Sequence, residues 1–519
     1  MHLVSPDAMR AMDRRTIDTI GVPSPVLMDR AARGAVDTLI DHFSLPTGAR
    51  VGILCGTGNN GGDGLAMASM LAHLGMQPHV LVLGRREQLS DDARLYFDIA
   101  RQTVDALHVA EDTRAVQDWL SHQPQFQLWC DALLGTGLDR PVEGHYAEAI
   151  DYLKKQSSPI MAVDMPSGLD GATGQVLGVA AEAALTTTFG FAKIGQCLDP
   201  ARQFCGRLVV VDIGISAATR DEIGVDAIGL DKEWLLTHLP PRPRDIHKGG
   251  AGKTLHIGGR PGTAGAIALS ARAALVGGAG LITVASAAPS QRLVTGFASE
   301  IMTRAAFDFE NERIDETHFR DALRRADSVV IGPGLGTDEM ARRIMAITLD
   351  CAPQHLIVDA DALNLAATDD QIATALRELA DSCQLVLTPH PGEMARLQQQ
   401  EITEVLADPV DSAQRLARTF NATAILKTAA TVIATADESM AINLTGNPGM
   451  ATGGMGDALT GLIAAAFADF PDDAFSACCC GVVVHGLAGD SAARKSGCRG
   501  LSVGLLLDEV PSVWLSCHG

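Results

Sequence analysis

The sequence predicts two successive α/β domains, each built on a largely parallel sheet, and three observations carry that prediction. At 519 residues the chain is too long for one ordinary hydrophobic core. Hydrophobic residues make up 47% of it but aromatic ones only 4%, so the cores must be packed with Ala, Val, Leu, Ile and Gly, as in closely apposed helix and sheet layers. Short apolar runs that end in glycine or polar loops and lead into helical stretches recur on both sides of a proline-rich interruption, LPPRPRDIHKGG (239–250). The boundary is expected near residue 225, giving domains 1–225 and 226–519.

Composition also excludes some functions. A net charge of −21 argues against non-specific nucleic-acid or anionic-membrane binding, although loop amides can still bind an anionic small molecule. The eleven cysteines form no CxxC pair and no Cys/His ligand spacing, and read as reduced core thiols of a cytoplasmic protein. No stretch reads as a signal peptide or a transmembrane helix.

In the first half, Ala8–Phe43 is expected to be helical with a break at Gly21–Pro25. A strand Val51–Cys55, the loop GTGNNGGDG (Gly56–Gly64) and a helix Leu65–Leu74 follow, an order that matches a dinucleotide-binding fingerprint. The next strand, His79–Leu83, ends in Gly84-Arg85-Arg86, which removes the usual acidic ribose contact and leaves an NADP reading open. Asn59, Asn60 and Asp63 are more polar than such a loop needs. Two further strands end in Asp131 and Asp164, the latter followed by Ser167. Each Asp taken alone would serve as a helix cap or turn residue. In a parallel sheet, however, Asn60, Asp131, Asp164 and Ser167 would converge beyond the strand ends, and their oxygens suit a monovalent cation at least as well as Mg²⁺.

The ordered motifs MRAMDRRTIDTIGVPSPVLMDRAA, GTGNNGGDG, DALLGTGLDRPVEG, VDMPSGLDGATGQV and TFGFAKIG resemble the YjeF N-terminal family of NAD(P)H-hydrate epimerases over about residues 1–218. The resemblance implies a Rossmann-like three-layer fold that interconverts R and S hydrates of NADH and NADPH. It implies substrate contacts from Asn59, Asn60, Gly61, Gly62 and Asp63, and from Gly135, Thr136, Gly137, Leu138, Asp139, Arg140 and Pro141. It further implies a K⁺ site at Asn60, Asp131 and Ser167, with catalytic Asp164 against the hydrated ring and Lys193 as an additional polar contact. Asp29 stands where the family usually has Glu.

After the boundary, a short helix is expected at Asp231–His238, and the strand–loop–helix rhythm then resumes. Strands are expected at Thr254–Ile257, Gly280–Ala285, Ser328–Ile331, Leu356–Val358, Leu385–Leu387 and Ala424–Leu426. Their loops carry GGRPGTAGA, GPGLG, DADALN, TPHPGEMARL and KTAAT. The last site is GNPGMATGGMGDALTG (Gly446–Gly461), a glycine loop that Asp457 closes before the apolar helix Ala458–Phe467. Such a loop aims backbone N–H groups at an anion, and a carboxylate there can take a proton from an attacking hydroxyl. His390 and Lys427 would by default be a structural histidine and a solvated lysine. Beside an anion loop and a base they also supply what phosphoryl transfer needs.

From about residue 230 onward these motifs resemble the YjeF C-terminal, ribokinase-like family of ADP- or ATP-dependent NAD(P)H-hydrate dehydratases. The resemblance implies hydrate contacts from Ala266, Gly336, His390 and Asp457, with Asp457 as catalytic base. It places the nucleotide on Lys427, Thr428, Ala429, Ala430, Thr431 and Gly456, with Mg²⁺ expected alongside ADP or ATP. Two positions depart from the family: Thr428 where KGAxT has its glycine, and Met455 where GGSGD is frequent. The expectation is a bifunctional repair enzyme acting on small molecules as a homo-oligomer. Its rivals are a ribokinase-like small-molecule kinase fused to a nucleotide-binding domain, an NADP-dependent oxidoreductase, and a non-catalytic front half.

Overall fold

The apolar runs of the first half form one seven-stranded sheet, parallel throughout, in a computed structural model of the chain that describes residues 1–517. Its strand order is Ala106–Ala110, Gln77–Leu83, Arg50–Cys55, Leu128–Ala132, Ile160–Val163, Leu185–Phe189 and Arg207–Val211. The chain therefore builds outward from Arg50–Cys55 to one edge, returns, and builds the other way from Leu128–Ala132. Between those two strands the connecting loops diverge to opposite faces and leave a crevice, the usual ligand position in such sheets. Helices Ser24–Phe43, Asn59–His73 and Asp91–Thr103 pack one face through Met28, Ala32, Leu65, Met67 and Phe97. Thr113–Ser121 and Gly144–Leu153 cover the other through Val116, Leu120, Ile150 and Leu153. The result is a Rossmann-like three-layer unit spanning His2–Ala227.

The second unit comprises Met1 and the chain from Ile228 on. Its sheet runs Arg313–Ile314, Met302–Asp308, Leu281–Ala287, Lys253–Ile257, Ser328–Ile331, His355–Val358, Gln384–Leu387, Thr423–Leu426, Val432–Ala434, Met440–Asn443 and Ala227–Leu230. The middle of this sheet is parallel, and antiparallel pairs lie toward both ends. Met455–Ala466 and Ala474–Ser496 form the helical core against it, with Leu459, Leu462, Ile463, Cys478, Cys479 and Val483 buried together. Among the described residues Ala474–Ser496 is the single helix long and apolar enough to cross a membrane by length and composition, and 61% of its most apolar window is buried inside the protein.

Three expectations need correction. The first glycine loop is shorter than its composition suggests, because the helix starts at Asn59, six residues before Leu65. Gly61 lies inside it for close approach rather than for flexibility: a Cβ there would sit 1.9 Å from the Gly56 carbonyl oxygen. Likewise the helix of the second site starts at Met455, after Gly454 in a left-handed conformation (φ +91°), so Asp457 stands in its first turn rather than before it. The stretch 215–229 shows no strong periodicity in sequence and is expected to carry no regular element, yet it contains the helix Ala217–Ile223 and the start of the strand Ala227–Leu230.

Candidate active sites

In the first unit, the crevice between Arg50–Cys55 and Leu128–Ala132 opens into a cavity of about 530 Å³. Asn59, Asn60, Asp63, Gly135, Thr136, Gly137, Leu138, Asp139, Arg140, Asp164 and Lys193 line it. Gly61, Gly62 and Pro141 do not. Gly62 faces Met28 from inside the helix, and Pro141 lies against Gly178.

Asp164 follows the strand Ile160–Val163 in a left-handed conformation (φ +61°), held by its own N–H on the Thr187 carbonyl at 2.7 Å and by Gln196 Nε2 on its carbonyl at 2.7 Å. For a residue with a side chain that conformation is costly, and here two hydrogen bonds enforce it. Lys193 Nζ donates to Asp164 Oδ1 at 2.6 Å, to Thr188 Oγ1 at 2.8 Å and to the Phe189 carbonyl at 3.1 Å. All three ammonium protons are thus committed, and the lysine is 1% exposed against 15% for the Asp164 side chain. The pair presents its carboxylate to the cavity.

Asp131 and Ser167 lie fully buried below the cavity wall. Asp131 accepts Ser167 Oγ at 2.6 Å and the Ser167 N–H at 2.8 Å. Burial nevertheless raises its carboxyl to about 6. Asn60 and Asp164 flank Gly135, and both polar atoms of the Asn60 amide are buried with no hydrogen-bond partner.

Two carboxyls of the cavity have strongly shifted ionisation. Burial, with Asp164 and Asp13 nearby, holds Asp63 well above the usual carboxylate range. Burial likewise raises Asp13 to about 6. Asp13 was not singled out from sequence, where it is one charge in the run Asp13-Arg14-Arg15. Its signal is its place on the helical stripe Met9, Asp13, Ile17, which lines the cavity.

In the second unit the carboxyl ends of neighbouring strands bring the predicted residues together. Lys427, just past Thr423–Leu426, donates to Asp359 Oδ1 at 2.6 Å and lies 4.0 Å from Glu393. Asp359 also accepts Thr388 Oγ1 at 2.7 Å. A Cβ at Gly456 would lie 3.2 Å from Lys427 Nζ, which places the lysine against the first turn of Met455–Ala466. Burial, reinforced by Asp359, raises Asp457 in that turn to about 7. This outweighs the helix N-terminus, which favours the ionised form.

His390 caps the helix Pro391–Gln398, its Nδ1 accepting from the N–H groups of Gly392 at 3.0 Å and Glu393 at 3.4 Å. Burial and Lys427 hold its ring below the usual histidine range. Gly336 donates its N–H to Asp361 at 2.8 Å. The loop before Ala266 is tied to the Gly336 loop, with Arg260 N–H on the Gly334 carbonyl at 2.9 Å. Thr428, a departure from the resembled family, has no left-handed strain, and its hydroxyl donates to the Ala430 carbonyl at 2.8 Å. Thr431 Oγ1 closes the same turn onto the Thr428 carbonyl at 3.2 Å, with Ala429 exposed between them. Asp359 and Glu393 sit in quoted motifs but received no role from sequence. Their type and spacing do not reveal that they converge on one lysine.

Fold and sites together define a two-domain α/β enzyme, with a carboxylate-lined cavity in one domain and a lysine–carboxylate cluster at a helix N-terminus in the other. Two family models match the chain: "YjeF-related protein N-terminus" over residues 24–195 and "NAD(P)H-hydrate dehydratase" over 254–512. The bifunctional NAD(P)H-hydrate repair enzyme Nnr of Moorella thermoacetica is 37% identical over 519 aligned residues, covering 99% of this chain and 96% of that protein. The enzyme of the same name from Escherichia coli is 32% identical, covering 95% and 90%. A Bacillus subtilis ADP/ATP-dependent NAD(P)H-hydrate dehydratase, co-crystallised with ATP/Mg²⁺, is 25% identical with a TM-score of 0.48, covering 56% of this chain and 99% of that one. The chain belongs to the family of bifunctional NAD(P)H-hydrate repair enzymes.

Proposed function

We propose that residues 1–225 interconvert the R and S hydrates of NADH and NADPH, and that residues 226–519 dehydrate the S form at the expense of ADP or ATP with Mg²⁺. The observation that carries this reading is the presence, within one chain of this family, of a cavity facing the Asp164 carboxylate and of Asp457 beside Lys427. In the first domain, Asn59, Asn60, Asp63 and Gly135–Arg140 surround the hydrate and Asp164 takes the proton of its ring hydroxyl. In the second, Asp457 takes the hydroxyl proton as the oxygen attacks the terminal phosphoryl group, the bond to the bridging oxygen breaks and the nucleotide leaves one phosphate shorter, while Lys427 meets the phosphate charge. Phosphate then departs with its oxygen, and loss of the neighbouring ring proton restores the dihydropyridine.

Asn60, Asp131 and Ser167 would hold K⁺. The unpartnered Asn60 amide supports this, as does a donor set of carboxylate, hydroxyl and amide oxygens, which suits a hard monovalent ion. When bound, the ion supplies positive charge that favours ionised Asp131. Exchange of K⁺ for Na⁺ is expected to slow epimerisation, and Asp131→Ala to remove that difference; an unchanged response refutes the ion site. Free thiols at all eleven cysteines suit a reducing cytoplasm.

The decisive experiment follows regain of dihydronicotinamide absorbance from mixed R and S NADH hydrate, with ADP or ATP and K⁺. Complete recovery that depends on nucleotide is expected. Recovery that stops at the S fraction removes the epimerase half. A stable phosphorylated product with no recovery replaces the dehydratase with a kinase.

A further inference from the structure

Lys193 has no ammonium proton left for a second carboxylate. Its three ammonium protons go to Asp164 Oδ1, Thr188 Oγ1 and the Phe189 carbonyl. Yet Asp13 enters the same cavity from the last turn of the helix Pro6–Arg14, in a wall it shares with Met9, Arg10 and Ile17. Its Oδ1 is buried and has no hydrogen-bond partner. A carboxylate oxygen buried without a donor is poorly stabilised, whereas the protonated acid is tolerated and carries a proton it can give away.

Epimerisation of the hydrate supplies a use for such a proton. The ring carbon that bears the hydroxyl is bonded to the ring nitrogen. Inverting it by ring opening breaks that carbon–nitrogen bond, with the electron pair going to nitrogen. The hydroxyl loses its proton to a base and becomes an aldehyde carbonyl, while the nitrogen needs a proton from an acid. Rotation about the adjacent carbon–carbon bond and the reverse transfers close the ring on the other face. No redox partner is required, and each proton returns to the group that held it.

We propose that Asp13 is the proton donor to the ring nitrogen in the first domain's reaction, with Asp164 as the base that takes the hydroxyl proton. This rests on the epimerase reading of that domain. The arrangement distinguishes two carboxyls in one cavity: Asp164 takes a direct hydrogen bond from Lys193, whereas Asp13 feels that lysine only at longer range. Asp13's raised ionisation, to about 6, agrees with that assignment. The charged groups that act on Asp13 are Lys193, Asp164 and, from the helix Asn59–His73, Asp63, with Arg10 on its own helix lining the same cavity.

The test uses the full-length protein and chromatographic measurement of R-to-S conversion without nucleotide across pH. In the parent, the rate is expected to fall as pH rises and Asp13 loses its proton. Asp13→Asn is expected to slow conversion about 100-fold or more and abolish that alkaline limb. Hydrate affinity should stay within about threefold, since the amide can still occupy the acid's place. Asp13→Glu should recover part of the rate with a displaced limb, which a merely structural carboxyl would not produce. Parental rate and limb in Asp13→Asn overturn the proposal, as does a loss fully explained by weaker hydrate binding. If Asp13→Asn fails to fold, an alkaline limb absent from the parent's own profile overturns it. A parent that never interconverts the hydrates overturns the epimerase reading itself, a result distinguishable from failure of Asp13 alone.

Discussion

Both domains contain a lysine–aspartate pair at 2.6 Å, and the two pairs are turned opposite ways. In the first, Lys193 is 1% exposed and Asp164 15%; in the second, Asp359 is 2% exposed and Lys427 18%. The buried partner holds the outer one in place, and the outer one is offered to the ligand. A carboxylate so offered can work on a hydroxyl proton. An ammonium so offered can meet a phosphate. The same ion pair therefore serves proton transfer in one domain and phosphoryl chemistry in the other, according to which end is buried.

The sharpest break between the two comes from Asp457→Asn. It is expected to lower dehydration about 10²- to 10⁴-fold while epimerisation stays at the parental rate, as measured by absorbance and by R-to-S chromatography. Next in size, Lys193→Met removes the inner partner of the first pair and leaves Asp164 uncompensated. A loss of about 3–5 kcal/mol in the first domain is expected, read as a lower first transition in calorimetry with dehydration retained. Equal loss in both domains would undo the distinction.

pH separates the domains more gently. Asp457 must be ionised to act, and its carboxyl is raised from 3.8 to about 7, so dehydration should fall tenfold per unit as pH drops below about 7. For stability the sign is opposite. Between 3.8 and about 7 the folded domain keeps this proton after the unfolded chain has released it, so Asp457 makes the domain less stable as pH rises through that window. The smallest effect is expected for Thr428→Gly, because Thr428 has no left-handed φ to relieve. The nucleotide KM should change by no more than about threefold, the loss of one hydrogen bond in the turn being worth roughly 1 kcal/mol or less.

Strands were legible where the chain is buried on both faces, as at Arg50–Cys55 and Ser328–Ile331, because continuous apolar runs mark such strands. Leu185–Phe189 was not, since its core positions are threonines: Thr186, Thr187 and Thr188 are all fully buried. Met302–Asp308, near a sheet edge, was missed because its half-exposed residues break the apolar pattern. Both glycine-rich sites were visible, yet both helices start earlier than their glycines suggest. A glycine chosen for close packing inside a helix has the same letter as one chosen for a turn. Asp164, Asp457 and Lys427 could be picked out because they end strands or close loops, and Lys193 only through the motif TFGFAKIG that carries the family resemblance. Asp13, Asp359 and Glu393 could not, since their significance is proximity to residues far along the chain.

The run Cys478–Cys480 lies in the second turn of the buried helix Ala474–Ser496, where burial drives all three thiols far above their ordinary range. Thiolate, the species that reacts with alkylating reagents, is absent there while the domain is closed. Cys498, just beyond the helix, is exposed. The second domain thus carries its own clock: Cys498 should be labelled at once, and the triplet only as fast as the core opens. With a slow reagent, triplet labelling would report the equilibrium openness of the folded state; with a fast one, its unfolding rate.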